Sequence, residues 1–348
     1  METENSRSNI VWIDNARAIS SILVIATHML GPWVYQINQF GNVNRFFILT
    51  FFTISKLCTP TFLMISGALL IQKDYSDLTQ HKRRVKRLFS SFVLWSLLYL
   101  IFYTFLNIYK GEHYTLKSYA LFLKESALQG SAYHLWFMYL IIGIYLSMPL
   151  LSILCKKISK NQLIIFFVIW GITLITNLFV EFNSIGDFIS SCIGYLGYLF
   201  VGSLINKNKL NEKIRIRYAS IIFLVGVVST LYLAYHQFSE TQAVSAKTFH
   251  RLNVNIAFVT IGFFMMIKSY MYKNEFIKSI SKHSLGIYYI HLFLIMIVNK
   301  IWILNVSDFI LFKLVISSVI ILLTSYVLIK YIEKKTSNSK WFNQLIIN

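Results

Sequence analysis

The stretch Trp12-Ile-Asp-Asn-Ala-Arg-Ala-Ile-Ser-Ser-Ile-Leu-Val-Ile-Ala-Thr-His-Met-Leu-Gly-Pro-Trp-Val34 decides the fold class. It is a mostly apolar run of the ~20 residues that a helix needs to cross ~30 Å of hydrocarbon. Runs of the same kind recur at about 50–72, 88–108, 134–154, 162–180, 187–206, 217–236, 252–272, 284–303 and 309–330. Lipid offers no partners to backbone N–H and C=O groups, so such runs must be helices. They are too long and too uniformly apolar for the roughly 10-residue alternating strands of an outer-membrane barrel. The pattern predicts an all-α integral membrane protein with about ten transmembrane helices, forming a single domain over residues 1–348.

Composition agrees. The 348 residues are 56% hydrophobic and 14% charged, with a mean hydropathy of +0.59, against roughly 25% charged residues in a soluble domain. A net charge of +19 raises the question of nucleic acid. The basic residues sit in short loops between apolar runs rather than on one solvated face, which points to membrane topology instead. Cys58, Cys155 and Cys192 lie in or beside apolar segments without metal-ligand spacing, so they read as packing residues, and neither a metal nor a resident cofactor is expected. The first run carries ionisable residues and precedes many others, so it reads as a retained span rather than a cleaved signal.

Loop charge sets the expected orientation, because Lys and Arg accumulate on the cytoplasmic side. Alternate connections hold 23 basic residues on one side of the ten-span arrangement, including Lys82 to Arg87, Lys207 to Arg217 and Lys268 to Lys282, against 7 on the other. Both termini are therefore expected in the cytoplasm. Two further segments are expected at the membrane surface, one over about 43–55 leading into the second span and one over Tyr114 to Leu128.

An ionisable residue within a span is costly unless paired or hydrated, and so marks a candidate site. Asp14 and Arg17 share a helical face near one interface, either as a simple ion pair or as functional groups. His28 lies 11 residues beyond Arg17, ~16 Å along the axis. Its bland reading is a hydrogen bond to a neighbouring helix. Arg83, Arg84 and Arg87 anchor topology on the simplest view, but as a guanidinium cluster they also suit phosphate oxygens. His134, His283 and His291 each read singly as packed histidines, and Gly67, Gly194, Gly197 and Gly202 as close helix contacts.

Taken in order, these pieces resemble a known family. Trp12-Ile-Asp-Asn-Ala-Arg17 followed by His28 is similar to the first span of membrane acyltransferase family 3. The stretches Lys56-x3-Pro60-x-Phe-Leu-Met-Ile-Ser-Gly67, Arg83-Arg-x-x-Arg87, Tyr133-His-Leu-Trp-Phe137 and Ser281-Lys-His-Ser-Leu-Gly-Ile-Tyr288 with His291 resemble its branch containing the enterobacterial common antigen O-acetyltransferase. The likeness runs over roughly residues 11–330. It implies a multi-pass enzyme of the bacterial cytoplasmic membrane that moves an acyl group, acetyl in the expected case, from cytoplasmic acyl-CoA to a hydroxyl of an envelope glycan.

By the same resemblance His28 is the catalytic residue, and Arg17, Arg83, Arg84 and Arg87 bind acyl-CoA. Lys56 and His134 are candidates for the acceptor or oxyanion site, with Asp14 and His291 in support. The Ser-Leu-Glu-Glu-His type motif of other members is absent from the sequence, which leaves an acidic partner of His28 unassigned. A direct attack assisted by His28 as base and a covalent acyl-His intermediate both fit. The rival class is a transporter or flippase of a glycan or lipid-linked substrate, for which many helices and buried charges are equally natural. Pro32, Pro60 and Pro149 show none of the two-halves symmetry that class favours.

Overall fold

A computed structural model describes residues 2–111, 115–181, 183–207, 211–298 and 310–336. The expected span ends at 299–303 and 309, Tyr114, and the loop residues Lys209, Lys300 and Lys340 lie outside them. The described residues form helices and no strand. Among the described residues, nine helical segments are long and apolar enough to cross a bilayer, ten when one bent pair counts as a span. Their outward faces are apolar, as on Lys160–Phe179, which exposes Ile164, Ile165, Val168 and Ile172. Exposed aliphatic rows of this extent face lipid rather than water. The chain is an all-α, multi-pass membrane protein.

It divides into two compact units, Met1–Lys73 with Leu154–Lys330, and Asp74–Ile153 with Tyr331–Asn348. In the first unit, α1 (Glu2–Tyr35) packs on α2 (Asn42–Ser55), α3 (Cys58–Leu70), α11 (Glu275–Lys282) and α12 (Ser284–Val298). Elements α7 (Lys160–Phe179), α8 (Ser184–Lys207), α9 (Glu212–Thr241), α10 (Val254–Ile267) and part of α13 (Ile310–Thr336) complete it. The second unit holds α4 (Thr79–Tyr109), α5 (Leu116–Gln129) and most of α6 (Trp136–Lys157).

Small residues bring the helices of the first unit together. A Cβ at Gly67 would fall on the backbone of Leu199, and one at Gly202 on that of Met64, so α3 and α8 meet backbone to backbone. A Cβ at Gly197 would fall on the indole of Trp170, whose Nε1 donates to Gly194 O at 3.0 Å. Van der Waals packing of this kind drives association where lipid is as apolar as the helices. The C-terminus of α8 is closed from outside, since Lys268 Nζ donates to the carbonyls of Ile205 and Asn206. A cation there offsets the negative helix end, and burial lowers the Lys268 pKa to about 8.

Three features differ from the sequence reading. Helix α2 exists over the expected surface segment, but Ile48, Leu49 and Phe52 are buried in a core with α1, and α2 runs on into α3 as one candidate span, Asn42–Leu70. The interruption falls at Lys56 and Leu57 because Pro60, in the first turn of α3, has no N–H to donate to the Lys56 carbonyl. The ninth span is a bent pair: α11 and α12 meet at 76° around His283. Of the cysteines, Cys58 is buried as expected, whereas Cys192 is exposed on the lipid-facing side of α8.

In the second unit, Asp77 opens α4 by accepting the Thr79 backbone N–H at 2.8 Å. Hydrogen bonds from Thr79 hold the Asp77 carboxyl below the usual range. Helix α5 covers the expected surface segment, with a Thr115–Ser118 capping box at its start and Leu121, Leu123 and Leu128 exposed. Tyr139 of α6 donates to Ala127 O of α5 at 2.7 Å.

Candidate active site

Helix α1 carries His28 in its penultimate turns, half-buried and so open on one flank. Pro32, four residues on, has no N–H to return to the His28 carbonyl. Thr27 fixes this turn against the α2–α3 junction: its Oγ1 lies 2.9 Å from Leu23 O and 3.1 Å from Ser55 O. The next residue of that junction is Lys56, half-buried, with Nζ 4.2 Å from the centre of the Phe52 ring. On the other side stands His291 of α12, fully buried, its ring centroid 5.3 Å from that of His28. Lys56 and Arg251 lie close enough to act electrostatically on the His28 ring. The same two cations act on His250.

The structure thus brings together three residues singled out from the sequence, His28, Lys56 and His291, and adds Arg251 and His250. These two sit in the connection before α10, which reads from sequence only as a short basic loop. Asp14 and Arg17 behave differently from a local pair. No ion pair joins them among the described residues; Asp14 Oδ1 instead accepts from Ser281 Oγ of α11 at 2.7 Å. Asn15 Nδ2 donates to Tyr270 O at 3.0 Å, so this end of α1 is tied to the segment between α10 and α12. Beside it is a cleft of about 340 Å³ bordered by Asp14, Asn15, Tyr272, Lys273, Glu275 and Lys278. Arg17 is half-buried one turn further along α1.

In the second unit the basic cluster occupies the first turns of α4, with Arg83 exposed and Arg84 and Arg87 half-buried. Arg87 Nε is buried and finds no acceptor among the described residues. His81 is buried nearby, its ring 5.1 Å from that of Tyr75 and hydrogen-bonded to the backbone of Tyr145. That carbonyl is the one Pro149 cannot engage within α6. Burial raises the Tyr75 phenol, against the opposing pull of Arg84. His134, in the turn before α6, is buried edge-on against Tyr99 at 5.1 Å.

A half-open imidazole beside two cations suits proton abstraction from a hydroxyl, with charge stabilisation at hand. A separate guanidinium group with an unsatisfied buried donor suits a phosphate. The comparison with protein families decides the class: the acyltransferase domain of family 3 matches residues 10–330. The chain belongs to this acyltransferase family. No curated protein and no solved structure matches it. Family membership makes the protein a membrane acyltransferase.

Proposed function

We propose that the protein is an O-acyltransferase of the bacterial cytoplasmic membrane that moves an acyl group, acetyl in the simplest case, from cytoplasmic acyl-CoA to a hydroxyl of a cell-envelope or exported polysaccharide. The observation that carries this is the half-buried His28 held beside His291, Lys56 and Arg251 in a chain of the acyltransferase family. The glycan acceptor is supported by the likeness of the four stretches beginning at Lys56, Arg83, Tyr133 and Ser281 to the branch containing the enterobacterial common antigen O-acetyltransferase.

His28, a neutral imidazole able to accept a proton on a ring nitrogen, takes the acceptor hydroxyl proton as that oxygen attacks the thioester carbonyl. Lys56 faces the negative charge that develops on the carbonyl oxygen. The tetrahedral intermediate then expels the CoA thiolate, which receives the proton from His28, and the ester remains on the acceptor. Arg83, Arg84 and Arg87 hold phosphates of CoA, and Arg17 is assigned to acyl-CoA by the resemblance of its motif alone. Asp14 keeps the start of α1 in register with α11 through Ser281.

The test is the ester content of envelope glycans from strains with and without the gene. The expected result is loss of one O-acyl class, restored by the wild-type gene and not by His28→Ala. An unchanged ester profile with altered export of a glycan would favour the transporter reading.

A further inference from the structure

Helix α2 ends at Ser55, and the carbonyls of a last helical turn have no partner within their own helix. Ser55 is fully buried, where an unmet carbonyl is costly. This carbonyl is met from another helix: Thr27 Oγ1 of α1 donates to Ser55 O at 3.1 Å. The same hydroxyl stands 2.9 Å from Leu23 O, one turn back on α1. Its single proton is shared between the two carbonyls in a three-centre bond. Cys58 Sγ of α3, 3.9 Å from Thr27 Oγ1, lies against the same hydroxyl.

Each end of this contact is one residue away from a group of the proposed mechanism, since Thr27 precedes His28 and Ser55 precedes Lys56. A short side chain on one helix thus meets the backbone of the other directly, with no long side chain between them to give slack. Beyond it, Lys56 turns Nζ over the Phe52 ring at 4.2 Å, and the His28 ring stands 5.3 Å from that of His291. The junction needs an outside tie. Helix geometry breaks at Lys56 and Leu57, and Pro60 has no N–H for the Lys56 carbonyl, so α2 and α3 do not by themselves fix where Lys56 lies. The ordinary role of a Thr within a helix is to bond back to the carbonyl four residues earlier, which Leu23 O satisfies. The contact with Ser55 O is what that role leaves unexplained.

We infer that Thr27 is a positioning residue, whose hydroxyl sets the register of His28 on α1 against Lys56 at the α2–α3 junction. This rests on the acyl-transfer reading above and adds a residue to that site. Thr27 exchanges no proton with substrate. It fixes the spacing between the base that takes the acceptor proton and the cation that faces the carbonyl oxygen, and both must meet the same tetrahedral centre. A misplacement of about 1 Å between such groups costs on the order of 10² in rate.

The test is steady-state kinetics on purified full-length variants. Thr27→Val keeps the shape of the side chain and removes the hydroxyl; it should lower kcat by about 10- to 100-fold with the KM for acyl-CoA unchanged. Thr27→Ser, which keeps the hydroxyl, should recover most of that loss. Thr27→Ala should behave as Thr27→Val does, and stands in for it if the valine variant does not fold. In Lys56→Gln protein the further loss from Thr27→Val should be much smaller than in wild type, because there is no longer a cation to hold in register. A Thr27→Val protein with full kcat, a serine variant no better than the valine one, or losses that add in full with Lys56→Gln would each overturn the inference while leaving acyl transfer standing. Wild-type protein that transfers no acyl group from acyl-CoA would overturn acyl transfer itself, and the inference with it.

Discussion

The imidazole rings of His28 and His291 lie side by side, with centroids 5.3 Å apart and planes inclined by 32°. His291 Nδ1 is 2.6 Å from Tyr288 O and 3.2 Å from Ile287 O. A carbonyl has no proton to give, so Nδ1 is the N–H donor, and in the neutral ring Nε2 carries the lone pair. His291 is thereby locked to its own helix and packed against His28, and in the proposed mechanism it acts as a positioning residue.

His291→Ala should lower kcat by on the order of 10²-fold, through misplacement of His28, with little change in the KM for acyl-CoA. His291→Asn should retain more activity, because its amide replaces the Nδ1–H donor. Steady-state kinetics on the two purified variants separates the cases; an alanine variant with full kcat would remove His291 from the site.

Arg87 should be the most sensitive member of the α4 cluster, because its Nε is buried without an acceptor. A buried charged donor that a ligand satisfies is worth more than an exposed one. Arg87→Gln is expected to weaken acyl-CoA binding by about tenfold or more, and Arg87→Lys to rescue it only in part. Arg83, exposed on α4, should matter less. Calorimetric titration of acyl-CoA into each variant decides this, and equal affinities across the set would return the cluster to a topological role.

The α3–α8 contact makes a stability prediction independent of chemistry. Gly67→Ala or Gly202→Ala places a methyl group on the backbone of the facing helix, which must move apart. Overpacking of this kind costs about 1–3 kcal/mol. A lowered Tm in detergent is expected for both, whereas Gly143→Ala, where a Cβ meets nothing within 4 Å, should leave Tm unchanged. An unaltered Tm for Gly67→Ala would contradict the backbone contact.

Orientation is open to a direct chemical test. In a background without the native cysteines, Cys at Lys213, in the first turn of α9, and Cys at Glu181, before α8, should react with an impermeant thiol reagent from opposite sides of the membrane. From the bias of basic residues Lys213 is expected inside. Labelling of both from outside would break the ten-span arrangement.

The sequence made α1 legible because an ionisable residue in an apolar run is conspicuous, and Arg17 and His28 stand 11 residues apart on one uninterrupted helix. The close approaches at Gly67, Gly194, Gly197 and Gly202 were equally readable, since small residues have few other reasons to cluster in a span. The bend at His283 was not: no Pro or Gly marks it, and α11 is short and polar enough to pass for a loop. Local spacing suggested that Asp14 pairs with Arg17, yet its partner is Ser281, 267 positions away. Arg251 escaped for the same reason. What places it beside His28 is a set of bonds from Asn177, Tyr198 and Asn253, and no pattern within its own loop signals them.

The most direct measurement is the turnover of purified His28→Gln protein with acyl-CoA and the envelope acceptor, after folding has been checked by Tm and by acyl-CoA affinity. Gln fills similar volume and can hydrogen-bond a neighbour, but it cannot take up a proton at neutral pH. Loss of on the order of 10² to 10⁴ in kcat with acyl-CoA binding preserved is the expected result for a general base. A well-folded His28→Gln protein that transfers at a near-normal rate would contradict it and make His134 the next residue to test.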